Sequence, residues 1–236
     1  MYPDSIRNQI MKFSNNNVLK SLAIGCVLIT ATGNALAQKA TLGVRFMPTI
    51  SAFDMKTSSG GTVSGQVALG FGIGAFVGYN FSNYVGIQGE IIYSSISQKY
   101  KEQDVERKIN LKYVNIPLML SLNTGITKQV NFNVVGGPQI GISMGGTVAT
   151  TGGDGTTNSN ALLKVKKGDL GLAYGAGFDF GLNEAKTSRL SFGFRGVFGM
   201  VDISDNNTSD ANNSYYILGR THISTYSAYI GLAILI

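Results

Sequence analysis

The strongest constraint on this chain is the alternation of apolar residues with glycines along residues 67–80. Phe71, Ile73 and Tyr79 share one face of an extended chain, whereas the other face carries glycine at positions 70, 72, 74 and 78. Each glycine costs a helix about 1 kcal/mol relative to alanine, so a helix is a poor solution here. A strand can use these glycines if its bare face turns into a narrow, crowded lumen. The segment therefore predicts a β-strand of a small barrel.

Alternation of this kind recurs in eight segments of the chain. They are residues 40–53, 67–80, 84–98, 109–122, 130–144, 170–182, 189–201 and 220–236. Each is long enough for a tilted membrane-crossing strand, which needs about 9 to 11 residues. The joins after the second, fourth and sixth segments are short, and the other joins are longer and polar. This pattern predicts an all-β, eight-stranded antiparallel transmembrane barrel with both termini in the periplasm.

A soluble β-sandwich is the alternative fold, because it also alternates and also uses glycine-rich turns. In residues 189–201 one face is strongly apolar, with Phe192, Phe194 and Phe198, while the opposite face offers Gly, Ser and an occasional charge instead of a solvated polar array. Only 14% of the residues are charged, yet no apolar run reaches the roughly 18 to 20 residues that a spanning helix requires. The barrel accounts for these faces better than the sandwich does.

The first 37 residues have the pattern of a secretory signal peptide. Lys12 and Lys20 precede an apolar stretch at 21–32, and Ala35 and Ala37 stand at the two positions that signal peptidase inspects. Cleavage after Ala37 leaves residues 38–236 as the barrel, and Met11 is an alternative start of translation. The single cysteine falls within the signal, so the mature chain has no thiol or disulfide chemistry.

The formal net charge of +6 does not indicate a nucleic-acid partner. The basic residues are scattered, and the densest patch, residues 100–112, also contains acidic residues. Removing residues 1–37 leaves 16 basic and 12 acidic residues, since 3 of the 19 and 1 of the 13 lie in the signal.

Three short elements resemble a known family. They are Tyr-Val-Asn-Ile-Pro-Leu at 113–118, Gly-Pro-Gln-Ile-Gly at 137–141 and the closing octet at 229–236. Together they resemble the PorT-type outer-membrane β-barrel domain common in Bacteroidota, over essentially the whole mature chain. The resemblance implies an eight-stranded, OmpA-like barrel and no single shared activity. The closing octet also resembles the signal by which the barrel-assembly machinery recognises a terminal strand, so that machinery is an expected partner during insertion.

Two prolines fall within predicted strands and remove backbone donors from the ladder. Pro117 and Pro138 therefore predict bulges or local bends that help to curve a small barrel.

The predicted lumen carries charge if the apolar residues face lipid. The inward charged positions are Arg45, Glu90, Asp179 and Arg195. Unpaired charges would be costly in so narrow a space, so we expect a neutral, hydrogen-bonded network that plugs the barrel. The polar residues expected to contribute are Gln88, Asn115, Asn133 and Gln139.

One set of residues is a candidate for catalytic chemistry. His222, Ser224, Asp202 and Asp205 supply the residue types of a hydrolytic triad near the predicted outer mouth. However, His222 and Ser224 share the parity of Ile230 and therefore the lipid-facing side. We expect an interfacial histidine, no catalytic residues and no enzyme activity. The sequence has no metal cluster, phosphate loop or nucleotide fingerprint, so we expect no metal and no cofactor.

The long joins, at 54–66, 99–108, 145–169 and 202–219, predict mobile, solvated surface. The third contains Lys164, Lys166 and Lys167, which could contact lipopolysaccharide phosphates beside the outer leaflet. We therefore predict a non-enzymatic outer-membrane barrel with a largely plugged lumen, in contact with outer-membrane lipid and lipopolysaccharide, and with a structural or interaction role in its loops. The alternative is a narrow porin that passes small solutes or ions. Which extracellular ligand the loops bind does not follow from the sequence.

Overall fold

The computed structural model describes residues 40–55, 65–102, 105–152, 159–204, 215–217 and 221–236. The predicted signal peptide, its cleavage site after Ala37 and the alternative start at Met11 lie outside these residues. No helix in the described ranges is long and apolar enough to cross a membrane.

The described residues form eleven strands. In chain order they are β1 Ala40–Met55, β2 Gly65–Val67, β3 Leu69–Asn80, β4 Val85–Glu102, β5 Val105–Asn123, β6 Val130–Gly152, β7 Ser159–Lys164, β8 Gly168–Gly181, β9 Ser188–Gly199, β10 Tyr215–Ile217 and β11 Thr221–Leu235.

Eight of these strands close into a ring by antiparallel pairing. The order is β1, β3, β4, β5, β6, β8, β9 and β11, with β11 pairing back onto β1. The short strands lie outside the ring, since β2 pairs with β4, β7 with β6, and β10 with β7. Each of the eight segments predicted from alternation corresponds to one ring strand. The predicted eight-stranded antiparallel all-β barrel is thereby confirmed.

The two faces of the strands follow the predicted alternation. On β3, Leu69 and Ile73 point outward and are 73% and 55% exposed, while the glycine-rich face turns inward around buried Phe76. Tyr79, Tyr93 and Tyr226 also lie on the outward surface. Burying polar residues and exposing apolar ones is what a barrel in lipid requires.

The ring strands on one side continue beyond their predicted ends. The predicted loop at 99–108 is a hairpin in which Lys99 pairs with Lys108, and the loop at 145–169 contains the end of β6 and all of β7. These described parts are paired strands, so the prediction that they are loops was wrong. The inward residues of the extensions form an apolar cluster. The cluster is hard to recognise in the sequence because charged residues of the outward face alternate with its members. We call it the outer cluster, and its buried members are Ile96, Ile109, Leu111, Tyr113, Val148, Ile203 and Ile223.

The join that follows β9 contributes to this cluster. Ile203 is fully buried in it, and its carbonyl oxygen accepts a hydrogen bond from the Lys166 backbone N–H at 2.9 Å. An isolated bridge between Val165 and Ser204 fixes the same segment. The first residues of the 202–219 join therefore fold over the end of the barrel that carries the long joins, which we call the long-loop end.

The prolines leave the strand register unchanged. Pro117 lies opposite Gln139 and Pro138 opposite Leu172, and the pairing has the same register before and after each of them. The predicted bulges at these positions were wrong, because each proline only interrupts ladder bonds locally. The β5–β6 register shifts instead between Lys112 and Tyr113.

Candidate functional site

The centre of the lumen holds two arginines that share one carboxylate. Arg45 on β1, Glu90 on β4 and Arg195 on β9 all face inward and are buried. Arg45 Nη1 lies 2.8 Å, and Arg195 Nη2 3.1 Å, from the same Glu90 oxygen, Oε1. Gln88 Nε2 also donates to that oxygen. We call Arg45, Glu90 and Arg195 the central cluster.

Aromatic and sulfur groups hold the two guanidinium groups in place. The Arg45 guanidinium carbon lies 4.1 Å from the centroid of the Phe76 ring and 4.7 Å from that of Tyr229. Such cation–π contacts strengthen when they are desolvated. Arg195 Nη1 donates to the sulfur of Met119 at 2.9 Å. The central cluster is therefore packed as well as paired.

Asp179, the fourth predicted member, lies apart from the central cluster. Its Oδ2 accepts hydrogen bonds from Asn131 at 3.0 Å and Asn133 at 2.8 Å, and among the described residues it makes no ion pair. Of the other polar residues predicted to contribute, Asn115 donates to Ser94 at 3.0 Å, and buried Gln139 lies toward the long-loop end. The structure thus brings together three of the four predicted charges.

Arg189 is a lumen residue that the sequence analysis missed. It is 4% exposed, and its Nη2 donates to the backbone oxygens of Lys128 and Asp179, both at 3.0 Å. The signal was present, because Arg189 has the same parity on β9 as Arg195. Its position at the start of a predicted segment made it resemble a strand-end residue.

Two cavities lie on either side of the central cluster. The first is at the end of the barrel that carries the short turns, which we call the short-turn end; its volume is about 50 Å³, and its lining includes Arg45, Asp179, Arg189 and Arg195. The second is toward the long-loop end, has a volume of about 40 Å³, and its lining includes Asp169 and Arg195. Arg195 lines both, so the central cluster separates them.

The lysines predicted to contact lipopolysaccharide are at the long-loop rim. Lys166 and Lys167 are exposed, and Lys166 Nζ donates to the backbone oxygen of Asp202 at 2.9 Å. Lys164 pairs with Ile217 along the backbone, and its side chain lies outside the described residues. On β5, Lys108 and Lys112 are also exposed on the outward face, and the sequence analysis did not single them out.

The triad candidates are at the same end of the barrel. His222 and Ser224 are half-buried on β11, and Asp202 Oδ1 accepts a hydrogen bond from Ser204 Oγ at 2.8 Å. Asp205 lies outside the described residues. In the described part of the chain, no group of three or more His, Cys, Asp or Glu side chains is placed to hold a metal ion.

The sequence matches a family of known proteins, and the fold is similar to that of several solved structures. Residues 35–205 match the family described as outer membrane protein beta-barrel domain. No curated protein matches the sequence.

Several solved structures are similar to this chain. The outer membrane protein OprG from Pseudomonas aeruginosa is 16% identical, with 84% of this chain and 96% of that chain covered and a TM-score of 0.49. Ail, the attachment invasion locus protein of Yersinia pestis, is 12% identical, with 84% and 99% covered and a TM-score of 0.43. Neisserial surface protein A is also 12% identical, with 84% and 97% covered and a TM-score of 0.43.

Proposed function

The chain belongs to the outer membrane protein beta-barrel domain family, and from that premise we propose that it is a non-enzymatic barrel with a closed lumen, which presents its long joins at the cell surface. Its location is the outer membrane. The observation that carries the proposal is the central cluster, in which two buried guanidinium groups share one buried carboxylate across the lumen.

The outer cluster closes the lumen a second time, at the long-loop end. The outer cluster buries Ile203 under the extended strands, so a solute would have to displace apolar side chains as well as the central cluster. Separating a buried ion pair costs about 3 to 5 kcal/mol, and the outer cluster adds the cost of exposing apolar surface. Two unlike barriers in series favour a closed barrel over a narrow porin.

Conductance in a planar bilayer tests closure directly. We expect the refolded chain of residues 38–236 to give no steady channels, because both barriers are internal to the folded barrel. Circular dichroism on the same preparation would establish that the silent protein is folded. Reproducible current steps that change in size in Arg195→Gln would contradict the proposal and establish the porin alternative.

Lipopolysaccharide is the partner that we propose for the long-loop rim. Lys166 and Lys167 stand next to β8, whose first outward apolar residue is Leu170, and Lys112 is two positions above Val114 on β5. Lysines directly above an apolar belt are at the height of lipid phosphates, where each contributes about 1 kcal/mol of electrostatic attraction.

Replacing Lys164, Lys166 and Lys167 together with glutamine is expected to weaken lipopolysaccharide binding by about 10- to 100-fold, because three such attractions are lost. The measurement is binding of lipopolysaccharide to the barrel in nanodiscs at low salt. The control is the variant Lys128→Gln with Lys186→Gln, which removes charges from the short-turn end. Equal affinity in the triple variant and the wild type would remove this partner from the proposal.

The narrower assignment, to the PorT-type barrels of Bacteroidota, is also part of the proposal. It is supported by the Tyr-x-x-Ile-Pro-Leu element at 113–118, which lies within β5, and by the closing octet on β11. The same octet supports insertion by the barrel-assembly machinery.

A further inference from the structure

The cavity at the short-turn end is lined by more positive than negative charge. Arg45, Arg189 and Arg195 all line it, whereas Asp179 is the one carboxylate among its described lining residues. Glu90 does not line the cavity, but its carboxylate contacts Arg45 and Arg195 and neutralises one of their two positive charges. Three positive and two negative charges leave an excess of one positive charge at this cavity.

The charge that would balance the lumen lies on the other side. Asp169 lines the second cavity, toward the long-loop end, and the central cluster stands between the two cavities. Buried charges need a nearby partner because the surrounding protein screens them poorly. The negative charge of Asp169 therefore does not neutralise the excess positive charge of the cavity at the short-turn end.

The arginines of this cavity also retain hydrogen-bonding capacity. The Nε atoms of Arg45, Arg189 and Arg195 are buried and have no hydrogen-bond partner among the described residues. A guanidinium group has five N–H donors in a fixed planar arrangement that matches the oxygens of phosphate and carboxylate groups. The cavity volume is about 50 Å³, and about 10 to 15 Å³ on this measure holds one water molecule, so the cavity has room for a few waters or one small ion and not for a larger ligand.

We propose that this cavity binds a small oxyanion of the phosphate type, which enters from the periplasmic end. Of the three guanidinium groups, that of Arg189 is nearest the turns, since it donates to the carbonyl oxygen of Lys128, and it is the first that an entering anion meets. Asn123 and Asn133 also line the cavity and supply further polar groups. Asp179 opposes the anion and limits its affinity.

The test is the thermal unfolding of the detergent-refolded barrel, residues 38–236, in inorganic phosphate and in chloride at equal ionic strength. We expect a saturable rise in Tm with phosphate and a smaller or no rise with chloride. Arg189→Gln is expected to weaken phosphate binding at least about tenfold, because it removes a charged donor. Lys108→Gln, which removes one positive charge at the opposite end, is the matched control and should bind phosphate as the wild type does.

A second variant keeps the proposal testable if Arg189→Gln does not fold. Asp179→Asn can still accept the hydrogen bonds of Asn131 and Asn133 but loses the opposing charge, so we expect it to bind phosphate severalfold more tightly. A purely structural role of Asp179 would not tighten binding. The absence of a saturable phosphate effect in the wild type, or unchanged affinity in Asp179→Asn, would overturn the proposal.

Discussion

Replacing Glu90 with glutamine is expected to lower the free energy of unfolding by about 3 to 5 kcal/mol, because it leaves two buried guanidinium groups without a counter-charge. The Glu90 side chain is fully buried, and its Oε1 is bonded to both Arg45 and Arg195. Glutamine preserves the size of the side chain, so the loss reports charge and not volume. The measurement is chemical unfolding of the refolded barrel followed by circular dichroism.

Two further variants complete this experiment. Glu184→Gln makes the same chemical change at an exposed position in the turn before β9, and its expected effect is within about 0.5 kcal/mol. Arg195→Leu removes one of the two guanidinium groups and leaves the Arg45–Glu90 pair, so it should be less destabilising than Glu90→Gln. Unfolding of Glu90→Gln at the same denaturant concentration as Glu184→Gln would show that the central cluster does not stabilise the barrel.

Replacing Gly193 with alanine is expected to prevent folding or to cost more than about 3 kcal/mol, which is at the upper end of overpacking effects. A Cβ at this position on β9 would lie 2.3 Å from the backbone oxygen of Ala176 and 2.6 Å from the Cα of Gly177. Both are backbone atoms of the paired strand β8, so no side-chain rotation relieves the contact. The measurement is the folded fraction after refolding into detergent.

Gly89 provides the matched control for this substitution. It is also a glycine of a ring strand, but a Cβ there would meet nothing within 4 Å. Gly89→Ala should therefore refold to the wild-type extent. Equal yields for Gly193→Ala and Gly89→Ala would mean that β8 and β9 separate readily to admit a methyl group, contrary to the close pairing described above.

The ring strands and their faces could be predicted because a barrel in lipid repeats one simple pattern. Phe71, Ile73 and Tyr79 alternate with small or polar residues, and period two fixes which side of the strand each occupies. The same parity placed Arg45, Glu90 and Arg195 inside. Parity does not predict how far along the barrel axis an inward residue lies, because that position depends on strand tilt and stagger. For that reason Asp179 was predicted to join the central cluster but lies beside Asn131 and Asn133.

The strand extensions at the long-loop end were harder to predict for a different reason. Above the membrane the outward face of a strand meets water, so it carries Lys108 and Lys112 and resembles a loop. The inward face still carries Ile109 and Leu111, but these are too few to establish a period by themselves. Ile203 belongs to a join with no alternation, and only the three-dimensional neighbourhood shows that it is buried.

The pairing of β10 with β7 has a mechanical consequence for the seam between β1 and β11. β10 belongs to the join that leads into β11, yet it is attached to β7, which is itself attached to β6 on another part of the ring. The bridge between Val165 and Ser204 adds an earlier anchor on the same join. The last strand is thus tethered across the mouth as well as along its edges. Separating β11 from β1 would also strain that tether. We therefore expect the β1–β11 pair to stay closed and not to open as a lateral gate into the membrane.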